Sequence, residues 1–258
     1  LDAFFDKQDT IKIVWPRIET AAGFMADAYF RVTKVPLPVY VSTGPGPALS
    51  TCAVANAYYD SSAFLLITGQ VTSDQFDSGA LQEPYRQHPA DFPSVVRNYV
   101  KHSYQATTVH QIAQFLPKAF KLMQTGRPGP VHLEVPYDIY QTVGETVIPD
   151  PEGWADSISW RNGAEPAAIE TVLRKLKAAK RPLILAGGGV DVSDAREALQ
   201  KFAEYMNIPV YTSLMGKGDL PDSHPLHLGV CGCWGHYPAV EAARNADVIL
   251  VLGCRFSD

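Results

Sequence analysis

Basic charge is scarce in this sequence and never concentrated. Lys and Arg total 22 against 27 Asp and Glu, a formal net charge of −5. Nucleic acids and anionic membrane surfaces are recognised by a concentrated basic face, and no run of Lys and Arg supplies one. Long apolar runs are missing as well. A bilayer span needs ~18–20 apolar residues, whereas PLILAGGGV and DVILVLGCRF are strand-sized cores bounded by glycine and charge. No basic, then apolar, then small-residue leader opens the chain. Neither nucleic acid nor a membrane is expected as a partner. The compartment expected is the cytoplasm, with an organelle left open.

Cysteine is sparse too. Cys52, Cys231, Cys233 and Cys254 show no framework spacing, which suits reduced, packed thiols rather than disulfides. Cys231-Gly-Cys233 lacks the second Cys or His pair that would complete four zinc ligands. The seven histidines form no H-E-x-x-H, and no Gly-x-Ser-x-Gly elbow occurs. Zinc and serine hydrolase chemistry therefore find no support, and no metal ligand is assigned in this chain.

What is present is apolar content and alternation. With 46% hydrophobic residues over 258 positions, the chain can bury two cores, and two domains are expected. Short β-branched runs alternate with helical stretches, the mark of α/β architecture with doubly wound parallel sheets. Strands are expected at 11–15, 38–42, 64–69 and 131–136, with helices near 19–33, 47–59 and 108–125, the last closed by Gly126. Residues 137–165 are rich in Pro, Gly and polar side chains and read as a linker. A second alternation follows: helix 166–179, strand 182–188, helix 193–206, strand 209–213, helix 237–245 and strand 247–253. The chain opens as though inside an amphipathic helix and stops directly after a strand, so both ends read as cut within a domain.

In open parallel sheets ligands bind beyond the carboxyl ends of strands. One such turn is STGPGPA (42–48), whose glycines allow close backbone approach and which opens a helix onto a polar ring or anion. It could equally be a Gly-Pro turn that only reverses the chain. LAGGGVDVSDA (185–195) puts three glycines between a strand and a helix, without the G-x-G-x-x-G spacing. LGCRFSD (252–258) sets Arg255 just past a strand, where it could grip a phosphate or pair with Asp258. Gln82 and Glu83 in LQEPYRQHPADF could be solvated loop residues, and Arg127 could neutralise a helix C-terminus. In PRIETAAGFMADAY (16–29), Glu19 stands at the mouth of a helix of small apolar residues, where a dipole-stabilising acid would also stand.

Taken together and in order, these segments resemble the thiamine-diphosphate-dependent enzymes of the acetolactate synthase type. The resemblance rests on Glu19 with AAGFMADAY, then STGPG, ANAYYDSSAFLLITGQV, ALQE, TGRPGPVHLEVP, AGGGV, TSLMGKG, HPLHLGVCGCWG and ADVILVLGCRFSD. It implies a pyrimidine-binding domain of the thiamine-diphosphate-binding fold over 1–140, a linker over 141–164, and a Rossmann-like central domain over 165–258. It also implies a lyase or carboligase acting on a 2-oxo acid or related carbonyl substrate. In such enzymes a glutamate at the position of Glu19 hydrogen-bonds a ring nitrogen of the cofactor's aminopyrimidine. The cofactor then becomes a nucleophile and electron sink. A carboxyl in that role needs dry surroundings, and Ala21, Ala22, Phe24, Met25 and Ala28 are expected to wall it in.

Other positions follow from the same resemblance. Gly44, Pro45 and Gln82 match segments bordering the thiamine diphosphate ring or the neighbouring active site, with Gln82 joining Glu19 in catalysis. Arg127, Gly187, Gly188, Gly189, Met215, Gly235 and Arg255 match positions that hold FAD in flavin-containing members. Other relatives place ADP there, or nothing. Mg²⁺ is expected on a diphosphate-binding domain beyond Asp258, and the active site is expected between subunits of a homodimer or homotetramer. The chain by itself is therefore expected not to hold the cofactor. Ile18 replaces the family's His, Leu81 its Phe, and Leu49 its Asn after the turn; CWGH replaces its Met-His-Gly. These departures leave the substrate open among 2-oxo acids, diketones and aldehydes. The competing classes are a non-catalytic FAD- or ADP-binding module and an NAD(P) oxidoreductase. The second lacks both the glycine spacing and an acidic ribose-binding residue at the expected distance.

Overall fold

The computed structural model describes residues 2–83, 91–154 and 163–256. The chain divides into two compact units, Leu1–Trp160 and Arg161–Asp258. Residues 84–90 with His88, the end of the expected linker, and Asp258 lie outside the described residues.

The first unit runs α1 (Asp2–Phe5), α2 (Glu19–Thr33), β1 (Pro38–Val41), α3 (Pro45–Asp60), β2 (Leu65–Gln70), α4 (Phe92–Val96), β3 (Ser103–Gln105), α5 (Val109–Gln124), β4 (Val131–Pro136) and α6 (Tyr137–Gln141). Its sheet has the order β1-β2-β4-β3, with every pairing parallel. Both faces are covered, as a parallel sheet requires. Ala26 of α2, Val54 and Ala57 of α3 and Phe92 of α4 pack with Val39, Val41, Phe64 and Leu66. On the other face Ala119 and Met123 of α5 meet Leu65, Val131, Leu133 and Val135.

Helix α2 matches the expected span residue for residue, but its orientation differs from the expectation. The residues it buries are Gly23, Ala26, Asp27 and Phe30, spaced along one stripe of a 3.6-residue period. That stripe turns Phe24 (39% exposed), Met25 (50% exposed) and Ala28 outward. Ala21 and Ala22 are half-buried. Inside, Asp27 is buried and held by Arg31 (2.9 Å) and Asn56 (2.9 Å), and Arg31 reaches on to Asp60 at 2.8 Å.

Residues 11–15 are not a strand: they carry no sheet pairing, and Ile11, Val14 and Trp15 are each about half exposed or more. β-branched composition favours a strand only where a neighbouring strand offers a ladder and a face to cover. Strands β3 and β7 were not expected. The scattered cysteines are all free, as expected, but not all packed: Cys52 and Cys233 are exposed.

The second unit runs α7 (Pro166–Ala178), β5 (Pro182–Ala186), α8 (Gly189–Val192), α9 (Arg196–Met206), β6 (Val210–Thr212), β7 (His227–Val230), α10 (Tyr237–Asn245) and β8 (Val248–Leu252). The helix expected from 193 begins at Arg196, because Asp194 is left-handed at φ 52° and separates α8 from α9. The parallel sheet has the order β7-β6-β5-β8. From β5 the chain builds outward to β6 and β7, then returns to β8 on the other side. The carboxyl ends of β5 and β8 therefore form a topological switch point, where doubly wound folds open a ligand crevice.

Candidate functional site

In the first unit one turn gathers residues that lie far apart in sequence. β1 ends at Val41, and Gly44 adopts φ 62° as N-cap of α3, a conformation that suits glycine. A β-carbon on Gly44 would lie 2.8 Å from both the Cβ and the carbonyl oxygen of Gln82. The Thr43 hydroxyl donates to that same carbonyl at 3.4 Å. On the other side of the turn, a β-carbon on Gly46 would meet Glu19 Oε1 at 3.5 Å. The Gly44-Pro45-Gly46 turn is thus flanked by Glu19 and by Gln82. Pro45 is exposed at its tip and opens α3, where its missing N–H costs no helical bond.

Glu19 begins α2, and the Thr20 hydroxyl beside it donates to Leu49 O of α3. The Glu19 carboxylate is half-buried and makes no hydrogen bond or ion pair among the described residues. A partly desolvated carboxylate left without a donor is a place where a ligand's proton can be shared. The dry wall expected around it is only partial, since Phe24 and Met25 face outward. Gln82 is exposed and left-handed at φ 63°. Its neighbour Glu83 is buried, at 6% exposure, and takes up the backbone N–H groups of Asp77, Gly79 (2.6 Å) and Ala80 (3.0 Å). Sequence reasoning assigned roles to neither Gly46 nor Glu83. The second glycine of the turn was visible, but backbone acceptance by Glu83 leaves no sequence signature.

The second unit gathers the other candidates at its switch point. Gly187 N donates to Leu252 O at 2.8 Å, and Gly189 N donates to Gly253 O at 2.9 Å. A β-carbon on Gly189 would lie 2.7 Å from Gly253 Cα, and one on Gly188 would lie 3.0 Å from Met215 Cβ. Gly187, Gly188, Gly189 and Met215 are therefore brought together, with Gly253 as a partner the sequence did not single out. Arg255 stands two residues after Gly253, beyond Cys254, and is exposed. Gly235 sits apart from this cluster, folded against Gly232 O and Val230 O in the turn after β7.

Arg127 is in the first unit. Its guanidinium donates to Ser61 Oγ (2.8 Å), Tyr58 O and Tyr59 O (2.9 Å), capping the C-terminus of α3 rather than that of its own helix. Among the described residues no group of His, Cys, Asp and Glu is arranged to hold a metal. Nor is any helix among them long and apolar enough to cross a membrane.

Two family models match this chain. Residues 1–90 match the thiamine pyrophosphate enzyme N-terminal TPP binding domain, and residues 169–258 match the thiamine pyrophosphate enzyme central domain. The chain belongs to the thiamine pyrophosphate enzyme family. It is 39% identical over 246 residues to a probable acetolactate synthase large subunit of Methanococcus aeolicus, covering 94% of this chain and 40% of the relative. It is 35% identical over 263 residues to a second probable large subunit, from Methanocaldococcus jannaschii, covering 100% and 42%. The acetolactate synthase large subunit of Corynebacterium glutamicum is 36% identical over 250 residues, covering 96% and 38%. The chain thus spans about two fifths of the length of these relatives. The thiamine pyrophosphate enzyme fold explains why two parallel-sheet units follow one another, and it places the Gly44 turn in the TPP binding domain.

Proposed function

We propose that this chain forms the pyrimidine-binding and central domains of a thiamine-diphosphate-dependent lyase or carboligase. Its substrate would be a 2-oxo acid or related carbonyl compound, as the names of its acetolactate synthase relatives suggest. The observation that carries this reading is the convergence of Glu19 and Gln82 on the Gly44-Pro45-Gly46 turn, with the Glu19 carboxylate making no hydrogen bond or ion pair among the described residues. When bound, thiamine diphosphate supplies the electron sink that lets a bond beside a carbonyl break or form.

The chain's own residues would do the rest. Glu19 would hold a proton at a ring nitrogen of the bound cofactor, because a half-buried carboxylate with no donor among the described residues can share the one a ligand brings. Gly44 lets Gln82 sit directly against the turn, where any β-carbon would collide with it. Gln82 presents an amide that can donate and accept at the opposite side of the turn. Gly187, Gly188, Gly189, Met215, Gly235 and Arg255 form the proposed FAD or ADP set of the central domain. Arg127, expected in the same set, donates to Ser61, Tyr58 and Tyr59 of the first unit. Mg²⁺ would be held by residues outside this chain, in a cytoplasmic homodimer or homotetramer whose subunits share the site.

The test uses the complete protein carrying these residues, supplied with thiamine diphosphate and Mg²⁺. Wild type should consume a 2-oxo acid, and Glu19→Gln should slow exchange of the cofactor's thiazolium proton by roughly 10²-fold or more. Exchange at the wild-type rate would remove Glu19 from the reaction and the reading with it.

A further inference from the structure

The Gln82 backbone sits where few side chains would choose to sit. Asp77 (φ 62°), Gly79 (φ 75°) and Gln82 (φ 63°) are all left-handed, so the segment 77–83 is a coil wound tightly upon itself. Two of these three are not glycine, and such a backbone persists only when its surroundings over-determine it. The group that does so is Glu83. Its carboxylate lies inside the coil, 6% exposed, and accepts from the amides of Asp77 and, through Oε2, of Gly79 at 2.6 Å and Ala80 at 3.0 Å. Glu83 N returns a bond to Ala80 O at 3.1 Å. A buried charge satisfied by several N–H groups makes short, strong hydrogen bonds, and removing it leaves those donors unpaired.

The coil has an output. Gln82, next to Glu83, is the residue pressed onto Gly44, where a β-carbon would be 2.8 Å from it, and its carbonyl takes the Thr43 hydroxyl. Unwinding 77–80 would release Gln82 from the turn that Glu19 flanks on its other side. The Glu83 carboxylate is itself occupied by the backbone of 77–80.

We infer that Glu83 is a positioning residue for the reaction, acting through Gln82: its carboxylate winds the 77–80 coil and so fixes Gln82 against Gly44. This inference rests on the proposed thiamine-diphosphate reading, and its test keeps the two apart. In the complete protein, Glu83→Gln keeps the shape of the side chain but exchanges one accepting oxygen for a donor. It should lower kcat by about 10²-fold, as a displaced catalytic contact does, while Glu19-dependent exchange of the thiazolium proton stays near wild type. Gln82→Ala should cost about as much, and the double variant no more than Gln82→Ala alone, because residues acting as one unit are not additive. A double variant whose losses multiply would overturn the inference, since Glu83 would then act independently of Gln82. Hydrogen exchange in the peptide spanning 76–83 and a crystal structure of Glu83→Gln supply a readout without activity. Faster exchange with Gln82 drawn away from Gly44 is expected. An unchanged coil, or a Gln82 still seated on Gly44, would overturn the inference even if wild type shows no thiamine-diphosphate chemistry. That last result by itself would sink only the functional reading.

Discussion

Gly23 of α2 lies so close to Ala53 of α3 that a β-carbon on Gly23 would come within 2.5 Å of the Ala53 Cβ. Gly23 stands one turn after Glu19, on the helix face turned toward α3. The missing side chain therefore sets the distance between the helix that carries Glu19 and the helix that carries Gly46. Gly23→Ala should gain about 1 kcal/mol of helix propensity and lose about 1–3 kcal/mol to overpacking. The net expectation is destabilisation, together with a retreat of Glu19 from the turn. Urea unfolding checks the first part, and cofactor proton exchange in the complete protein checks the second. A stabilised variant would show that α2 and α3 are not in this contact.

The central strand β4 makes a pH prediction with two opposing signs. Glu134 and His132 are both fully buried there. His132 is held between Thr68 Oγ1 (2.8 Å) and Ser103 Oγ (2.7 Å), and Glu134 accepts from Gln105 (2.5 Å) and Gln70 (3.4 Å). Burial pushes the Glu134 carboxyl up from 4.5 to about 7, with Asp91 adding to the rise against the two amide donors. Burial pushes His132 down from 6.5 to about 3. The folded state thus favours protonated Glu134, whose contribution is complete below pH 4.5 and is lost as pH climbs through 7. It favours neutral His132, whose contribution is complete above pH 6.5 and is lost as pH falls through 3. Between pH 4.5 and 6.5 the slopes oppose each other, each about 1.4 kcal/mol per pH unit. Glu134→Gln should therefore gain stability with rising pH across this window while wild type changes far less. Parallel stability curves, measured by urea unfolding, would contradict the assignment.

The secondary structure was legible wherever burial and period agreed. α2, β4 and α10 fall on their expected residues because an amphipathic stripe or a run buried on both faces leaves a strong pattern. β3 and β7 span three and four residues, are largely half-buried, and carry polar side chains such as Ser103, Gln105 and His227. Their pattern is too short to stand out. The 11–15 stretch shows the opposite failure: strand composition without a neighbour to pair with. Phe24 and Met25 were placed inside on composition, whereas the helical period turns them out. In the first unit Glu19, Gly44 and Gln82 were nameable through the resemblance, and in the second unit the three glycines, but the contacts within each group were not. Gln82 reaches Gly44 across 38 residues, through a coil held by backbone amides that any residue type supplies.

Arg127 offers a choice between two roles that one variant separates. Its guanidinium spans Ser61 Oγ and the carbonyls of Tyr58 and Tyr59, and stacks 5.4 Å from the Tyr58 ring. A cation there offsets the negative end of α3 and satisfies its last carbonyls. Arg127→Ala should cost about 1–2 kcal/mol and speed amide exchange around Tyr58–Ser61, with the nucleotide content of the purified protein unchanged. Loss of bound nucleotide with α3 still protected would instead assign Arg127 to the cofactor.

At the switch point of the second unit, the glycines answer to backbone before any ligand. A β-carbon on Gly187 would lie 2.5 Å from Gly253 O and 2.6 Å from Cys254 Cα. Both neighbours are main chain, so no rotamer change relieves the clash and the turns after β5 and β8 must part. Gly187→Ala should therefore cost at least about 1–3 kcal/mol and widen the crevice, with any FAD or ADP lost along with it. Gly163 serves as the control: nothing lies within 4 Å of its β-carbon position, and its change to Ala should stay within about 0.5 kcal/mol. Thermal unfolding compares the two, and flavin absorbance or bound ADP reports the site. Equal melting curves would mean that the turns do not meet as closely as the Gly187–Gly253 contact requires. A destabilised Gly187→Ala that kept its nucleotide would place that ligand elsewhere.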